Sequence, residues 1–121
     1  MFPATRLRRL RYNPAVRQLV RHTRPSPANL VMPLFVRPGS GLRQEIASMP
    51  GNFQMSPDLL VEEIRALRDL GLGGVILFGI PAVKDAVGSD STSPEGIIAQ
   101  TVRLAKQAAP EMLVKTDVCL C

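Results

Sequence analysis

The 121-residue chain has 15 Lys or Arg, 10 Asp or Glu and one His, giving a formal net charge of +5, and 45% of its residues are hydrophobic. This length suits one small domain with a buried core. Without an apolar run of about 18 residues, the sequence predicts no transmembrane helix, and its N-terminus lacks the pattern of a secretory signal. Residues 1–24 hold seven Arg and no acid, so the remainder carries +5 − 7 = −2. The basic charge therefore belongs to an N-terminal arm, which argues against a nucleic-acid-binding body.

The arm is predicted to span residues 1–28, which are rich in Arg and Pro and contain little that could form a core. Asn13 and Pro14 are typical of a helix start and predict a short helix over 15–21. Three interpretations of the arm remain open from composition alone. It packs on a neighbouring subunit, it is a basic segment for nucleic acid, or it is an organelle transit peptide.

Residues 30–36 (LVMPLFV) form an apolar run of strand length, typical of a strand in a parallel sheet. Pro33 is unusual in such a strand because it lacks an N–H; we expect it at a bulge or at the contact with a barrel strand's first neighbour. Residues 38–55 are predicted to be a long loop. Its length indicates a functional or subunit-contacting role.

A helix is predicted to begin at Ser56-Pro57-Asp58, because Ser is a preferred N-cap, Pro suits the first helical position and Asp complements the positive helix start. Gly71 is expected to end it. The charged residues on the other side of this helix are interpreted as a solvated face. The expected apolar stripe consists of Leu60, Ile64 and Leu67.

The second half repeats the pattern, with strands predicted over 74–79 and 112–117 and a helix from Ser93 to about residue 109. The intervening loop, 80–92, follows a predicted parallel strand, a position where functional residues concentrate. An ordinary polar turn is the alternative interpretation of this loop. Its polar and glycine residues include Lys84, Asp85, Gly88, Ser89 and Asp90.

The predicted order is β-α-β-α-β, which indicates an α/β fold with a parallel sheet. Right-handed crossovers would place both helices on one face, and the other face would need more chain or a closed barrel to cover it. We therefore predict the N-terminal part of a (β/α)8 TIM barrel, with about three strands and two helices. The barrel domain is expected to occupy residues 29–121, after the arm.

The last predicted strand leads directly to Asp117, Cys119 and Cys121. Cys119 and Cys121 are the two cysteines of the chain. In an extended segment these three residues point the same way. Thiolates favour zinc among common intracellular metals, and a C-x-C pair favours a reducing, cytosolic setting over a disulfide. Two ligands do not complete a site, and His22 lies far away in the arm. Two small buried strand residues remain the alternative on spacing alone.

Several short stretches together resemble porphobilinogen synthase, also called 5-aminolevulinic acid dehydratase. The similarity extends over essentially the whole chain, and Thr116 to Cys121 resemble the family's metal-binding segment. It also includes Arg8-Arg9-Leu10-Arg11, Asn13-Pro14-Ala15, Pro33-Leu34-Phe35-Val36, Ser48-Met49-Pro50-Gly51, Leu77-Phe78-Gly79, Lys84-Asp85 and Gly88-Ser89.

The resemblance implies a cytoplasmic enzyme that condenses two 5-aminolevulinate molecules to porphobilinogen with loss of water, in tetrapyrrole and heme biosynthesis. It implies that Cys119 and Cys121 hold a Zn2+ ion and that Asp117 is an active-site acid. It also implies an arm that embraces a neighbouring subunit in a homo-octamer, with no nucleic-acid or membrane partner. Some family members carry acids in place of the cysteines and use magnesium; the cysteines here favour the zinc type.

The chain departs from the family pattern in two ways. The third cysteine and both Schiff-base lysines of the family have no counterpart in these 121 residues, so we expect the segment to be inactive alone. Gln54 stands where the resemblance leads us to expect an arginine. The alternative to the enzyme is a small basic-armed module that binds nucleic acid or a partner protein.

Overall fold

The fold is an α/β arrangement in a computed structural model that describes residues 3–118. Two βα units follow the arm, and a small hairpin is inserted after the first strand. The elements in chain order are α1 (Pro14–Leu19), a 3-10 turn (Pro27–Asn29), β1 (Val31–Val36), β2 (Arg43–Glu45), β3 (Phe53–Met55), α2 (Pro57–Asp69), β4 (Gly74–Gly79), α3 (Ser89–Thr92), α4 (Ile97–Ala108) and β5 (Leu113–Thr116).

The strands form one mixed sheet in the order β2-β3-β1-β4-β5. The pairs β3–β1, β1–β4 and β4–β5 are parallel, and only β2 runs antiparallel, to β3. The β1–β4 pair is in register along both strands, from Val31 opposite Gly74 to Val36 opposite Gly79. The carboxyl ends of β1, β4 and β5 therefore lie at the same edge of the sheet.

One face of the sheet is covered by α2 and α4, as the right-handed crossovers predict. The predicted stripe of Leu60, Ile64 and Leu67 on α2 is confirmed as buried. Alternate strand residues face these helices, so that β4 contributes Val75 and Leu77, both fully buried. The core consists of Leu34, Val36, Met55, Leu60, Ile64, Leu67, Val75, Leu77, Ile97, Ala105, Ala109 and Met112.

The opposite face carries the intervening residues, which remain partly exposed. Phe35 of β1 and Phe78 of β4 are neighbours in register, and their rings stack with centroids 5.3 Å apart and planes at 24°. Neither ring belongs to the buried core beneath α2 and α4. The two faces of the sheet thus differ: one is a closed hydrophobic core and the other is an apolar surface that borders a cavity.

Pro33 is accommodated on the edge of β1 that lies away from β4. The carbonyl of Val36 accepts the N–H of Ile80 on the β4 side, whereas the N–H of Arg37 donates to Met55 on the β3 side. Because backbone polar groups alternate in direction along a strand, Pro33 faces the β3 side. The pairing with β3 reaches only Phe35 and Val36. The missing N–H of Pro33 therefore removes no bond to β4.

Residues 38–55, predicted as a loop, instead contain the β2–β3 hairpin. Arg43 pairs with Met55 and Glu45 pairs with Phe53, and the Arg43 guanidinium carbon lies 4.1 Å from the Phe53 ring centroid. The turn between the strands is held by the Gly51 N–H, which donates to the Glu45 carboxylate at 3.0 Å. Each strand has only three residues, so neither shows the alternation that predicts a strand.

Helix α4 starts later than predicted. Ser93 was expected to open the helix, but its hydroxyl accepts the N–H of Glu95 at 3.1 Å in a local turn. The carboxylate of Asp90, in the short helix α3, accepts the N–H of Ile97 at 3.2 Å and so caps the first residue of α4. Helix α3 was not predicted from the sequence, because four residues provide too little pattern.

The arm is exposed over residues 3–28 except at Val16 and Val20, which are partly buried, and α1 buries none of its residues. The predicted helix over 15–21 is observed at Pro14–Leu19, with the Asn13 side chain accepting the N–H of Ala15 at 2.7 Å. The 3-10 turn after α1 packs on the start of β4, where the Gly73 N–H donates to the carbonyl of Pro27 at 3.2 Å. The arm is thereby joined to the amino-terminal edge of the sheet.

Candidate active site

A cavity of about 620 Å³ opens at the carboxyl edge of the sheet, above the Phe35–Phe78 pair. It is bounded by the ends of β1, β4 and β5, by the β2–β3 hairpin and by the loop after β4. Its lining combines apolar residues from the strands with polar residues from the loop. The lining includes Phe35, Ile46, Met49, Gln54, Phe78, Ile80, Lys84, Asp85, Asp90, Ile98, Thr116 and Asp117.

The floor of the cavity is the stacked pair of Phe35 and Phe78. Gln54 of β3 is opposite Phe35 in register and continues this row to the next strand. The Gln54 side-chain oxygen accepts a bond of 3.4 Å from the guanidinium of Arg37, which also donates to the side-chain oxygen of Gln44 at 3.0 Å. The floor is therefore apolar at its centre and polar on the β3 side.

Asp117 stands at the opposite end of this row. Its N–H donates to the carbonyl of Leu77 at 3.2 Å, which continues the β4–β5 ladder one residue beyond β5. This register places Asp117 beside Phe78. The side chain is exposed and lines the cavity. The predicted active-site acid is thus at the mouth of the cavity, at the end of a strand.

The loop after β4 is held in place by its own carboxylates. Hydrogen bonds from Ser89 lower the pKa of Asp85 from its ordinary value. The Ser89 hydroxyl has the largest effect, followed by the Ser89 N–H, which lies 2.9 Å from the carboxylate. Gly88 adopts a left-handed conformation (φ 62°) that allows this turn. Lys84 is exposed and lines the cavity. The loop therefore places an ammonium group and a fixed carboxylate along one wall.

Comparison with known proteins gives a match between residues 4–121 and the family model described as delta-aminolevulinic acid dehydratase. The chain belongs to this family. It is 43% identical over 121 residues to the delta-aminolevulinic acid dehydratase of Synechococcus elongatus, covering 100% of the chain and 37% of that protein. It is 45% identical over 116 residues to the Halalkalibacterium halodurans protein of the same name, covering 96% and 35%. The chain thus spans about a third of the length of these relatives.

A solved structure of delta-aminolevulinic acid dehydratase (porphobilinogen synthase) from Toxoplasma gondii, in complex with its reaction product porphobilinogen, matches with a TM-score of 0.87. The match has 34% sequence identity and covers 96% of this chain and 33% of that one. The prediction of the N-terminal part of an α/β barrel is confirmed by this similarity. The mixed five-stranded sheet differs from the predicted three strands by the added hairpin.

The two family cysteines, Cys119 and Cys121, lie outside the described residues. The expectation of zinc therefore stays a prediction. Within residues 3–118, no group of three His, Cys, Asp or Glu side chains is arranged to hold a metal ion. The donor chemistry of Asp117, Cys119 and Cys121, with two thiols close in sequence, fits zinc better than magnesium.

Two residues of the candidate cavity and one residue beside it were not identified from the sequence. Phe35 and Phe78 belong to predicted strands, but the apolar runs gave no indication of which face they occupy or that they are neighbours. Arg37, which contacts Gln54 but does not line the cavity, was also missed, because that contact depends on the unpredicted hairpin. Its place directly after a predicted strand was the one signal that could have drawn attention to it.

Proposed function

We propose that the protein carrying this chain is a porphobilinogen synthase, which condenses two molecules of 5-aminolevulinate to porphobilinogen with loss of water in tetrapyrrole and heme biosynthesis. The observation that carries the proposal is Asp117 at the end of β5, on the rim of a cavity of about 620 Å³. The family membership of residues 4–121 supports it. The function of the whole protein is inferred here from about a third of the length of its relatives.

The residues of this segment would hold and orient the substrate. The Phe35–Phe78 floor excludes water from one side of the cavity and gives the carbon chain of the substrate an apolar surface. The carboxylate of Asp117 is suited to bind the ammonium group of 5-aminolevulinate. The lysines that the family uses for Schiff bases would come from other parts of the protein, since Lys84, Lys106 and Lys115 match no family lysine motif.

Zinc would be held by Cys119 and Cys121, with a further ligand from outside residues 1–121. When bound, zinc supplies Lewis-acid polarisation of a substrate oxygen or amine. Asp117 would then lie two residues before the first zinc ligand, so that the bound substrate meets an acid and a metal on one side of the cavity.

The test is a double substitution, Cys119→Ala with Cys121→Ala, in the protein expressed from its complete coding sequence. We expect loss of bound zinc and loss of porphobilinogen formation, because thiolates are the donors that hold the metal. Glu111→Gln, an exposed carboxylate in the turn before β5, is the control and should change neither. If the double variant keeps its zinc and its activity, the assignment is wrong.

We also propose that the enzyme is cytoplasmic and that its arm packs on a neighbouring subunit of a homo-octamer. Within the part of the chain that the structure describes, no helix is long and apolar enough to span a bilayer. In the arm, apolar side chains stand exposed between arginines, with Leu7 92% and Leu19 82% accessible. Such residues are suited to burial against a second copy.

Removal of residues 1–24 should lower the sedimentation mass of the assembled enzyme. The control for lost charge is an arm that keeps its length and apolar residues, with Arg6, Arg8 and Arg9 changed to Gln, which should stay assembled. If the truncated protein keeps its mass, the arm does not join subunits. Salt-sensitive binding of polyanions by the intact arm would support the basic-module alternative instead.

A further inference from the structure

Arg37, the residue directly after β1, forms hydrogen bonds only with neutral groups. Its guanidinium donates to the side-chain oxygens of Gln44, at 3.0 Å, and Gln54, at 3.4 Å. The ion pairs among residues 3–118 involve three other arginines: Arg65, Arg68 and Arg103. Arg37 therefore brings a positive charge to the cavity end of β1 that no carboxylate of the described residues neutralises.

The contact with Arg37 determines which end of the Gln54 amide is available to the cavity. A guanidinium has only donors, so it bonds to the oxygen of an amide and not to its nitrogen. Gln54 lines the cavity, whereas Arg37 does not. With its oxygen held by Arg37, Gln54 has its two N–H donors left for a ligand. A fixed positive charge behind these donors strengthens their binding of an anionic oxygen.

The cavity floor separates this donor from Asp117. One row of side chains crosses the sheet from β3 through β1 and β4 to the end of β5. It consists of Gln54, Phe35, Phe78 and Asp117, in that order. Three strand spacings correspond to about 14 Å between the outer backbones. The row thus has a donor for an anion at one end, an apolar middle, and a carboxylate for a cation at the other.

The order of these groups complements an amino acid that carries its carboxylate and its ammonium at opposite ends of a carbon chain. Gln54 stands where the family resemblance predicts an arginine. An arginine at position 54 would donate to the cavity directly. Here the guanidinium comes from Arg37 on the neighbouring strand and acts through a neutral amide.

We propose that Gln54 binds the carboxylate of a 5-aminolevulinate molecule through its side-chain N–H groups, and that Arg37 is the positioning residue that orients this amide. The inference rests on the proposed function for the identity of the substrate. The contact itself requires only a small ligand that carries a carboxylate next to an apolar carbon chain.

The experiment measures binding of 4-oxopentanoate and of its uncharged methyl ester to the protein expressed from its complete coding sequence, by calorimetry. Arg37→Met and Gln54→Met should each weaken binding of the acid about tenfold and leave the ester within about threefold, as expected for loss of one charge-assisted contact. Arg43→Met is the matched control: its guanidinium lies over Phe53 and does not contact Gln54. It should change neither affinity.

A double variant tests the orientation role directly. In Arg37→Met with Gln54→Arg, position 54 supplies its own charged donors, so binding of the acid should return to within about threefold of the parent. The inference is overturned if Arg37→Met binds the acid like the parent, or if acid and ester weaken equally. If Arg37→Met does not fold, Gln54→Met decides, because it keeps the bond between Arg37 and Gln44.

Porphobilinogen formation by the unaltered protein is measured separately. If that protein forms none while its affinity for the acid responds to the substitutions as expected, the proposed function fails and the carboxylate site stands. If it forms porphobilinogen and the affinities do not respond, the function stands and the carboxylate site fails.

Discussion

Asp58 connects the start of α2 to the loop that follows β1. Its carboxylate accepts the N–H of Gly41 at 2.8 Å and the hydroxyl of Ser40 at 3.2 Å. The Ser56 hydroxyl, followed by the Gly41 N–H, lowers the pKa of Asp58 to about 2. The same Ser56 oxygen accepts the N–H of Leu42 at 2.9 Å. Two polar side chains of the helix start thus fix the path by which the chain enters the hairpin.

Acid should weaken this connection. The folded-state pKa of Asp58 lies below its unfolded value of 3.8. Its contribution to the free energy of unfolding is therefore fully present above about pH 4 and is lost as the pH falls from there towards about 2. Asp58→Asn should lower the melting temperature at pH 7, and the difference from the parent protein should shrink below about pH 3.

Glu111→Gln removes an exposed carboxylate elsewhere and is the control for net charge. Its melting temperature should equal that of the parent protein both at pH 7 and below about pH 3. A difference between Asp58→Asn and the parent that stays constant from pH 7 to pH 2 would show that the carboxylate is not the group responsible.

The Asp58 site illustrates what can be predicted at the scale of single residues. Ser56, Pro57 and Asp58 were correctly predicted to start a helix, because capping depends on neighbours in sequence. The partner Gly41 lies 17 positions away and could not be predicted, because its location depends on the hairpin. The sequence placed Asp117 at a strand end and the family resemblance implied that it is an active-site acid; its place in the cavity lining was seen only in the structure.

At the scale of elements, prediction succeeded where the pattern was long. The β4 strand was predicted with the observed bounds, Gly74–Gly79, because its apolar run lies between glycines. The three-residue strands β2 and β3 were missed, since their stability comes from pairing with each other and with β1. Such tertiary stabilisation leaves no periodic signal in the segment itself. The polar part of the candidate cavity was therefore harder to predict than its apolar floor strands.

Gly73 provides the contact between the 3-10 turn and the sheet. A Cβ atom at this position would collide with the carbonyl oxygen of Ala28 and lie 3.0 Å from its carbonyl carbon. Both atoms belong to the backbone, so the turn would have to move. Gly73→Ala should therefore release Pro27–Asn29 from β4 and cost about 1–3 kcal/mol, as overpacking does.

The measurement is the rate of tryptic cleavage after Arg21, which is exposed and followed by His22. Cleavage there should be faster in Gly73→Ala, because the docked turn lies a few residues further along the chain. Gly51→Ala is the control: it has a positive φ of 81° but open space around the added carbon. It should lower stability by about 1 kcal/mol through backbone strain without altering cleavage after Arg21. Equal cleavage rates in the parent and Gly73→Ala would show that this contact does not hold the arm.

At the scale of the molecule, the sheet has an open edge at β5. The N–H of Asp117 bonds to Leu77, so odd-numbered residues of β5 direct their backbone groups to β4. Val114 and Thr116 direct theirs to the other side, where no strand among the described residues pairs. A barrel of the family type needs a further strand along this edge.

Hydrogen exchange at β5 tests this closure. In a polypeptide of residues 1–121, the N–H groups of Val114 and Thr116 should exchange rapidly, whereas that of Lys115 should be protected by its bond to β4. In the protein expressed from its complete coding sequence, all three should be slow, because a neighbouring strand supplies the missing acceptors. Lys115 is the internal control, since its protection reports that β5 is formed in both samples. Fast exchange of Val114 and Thr116 in the complete protein, with Lys115 still protected, would mean that no strand pairs with β5.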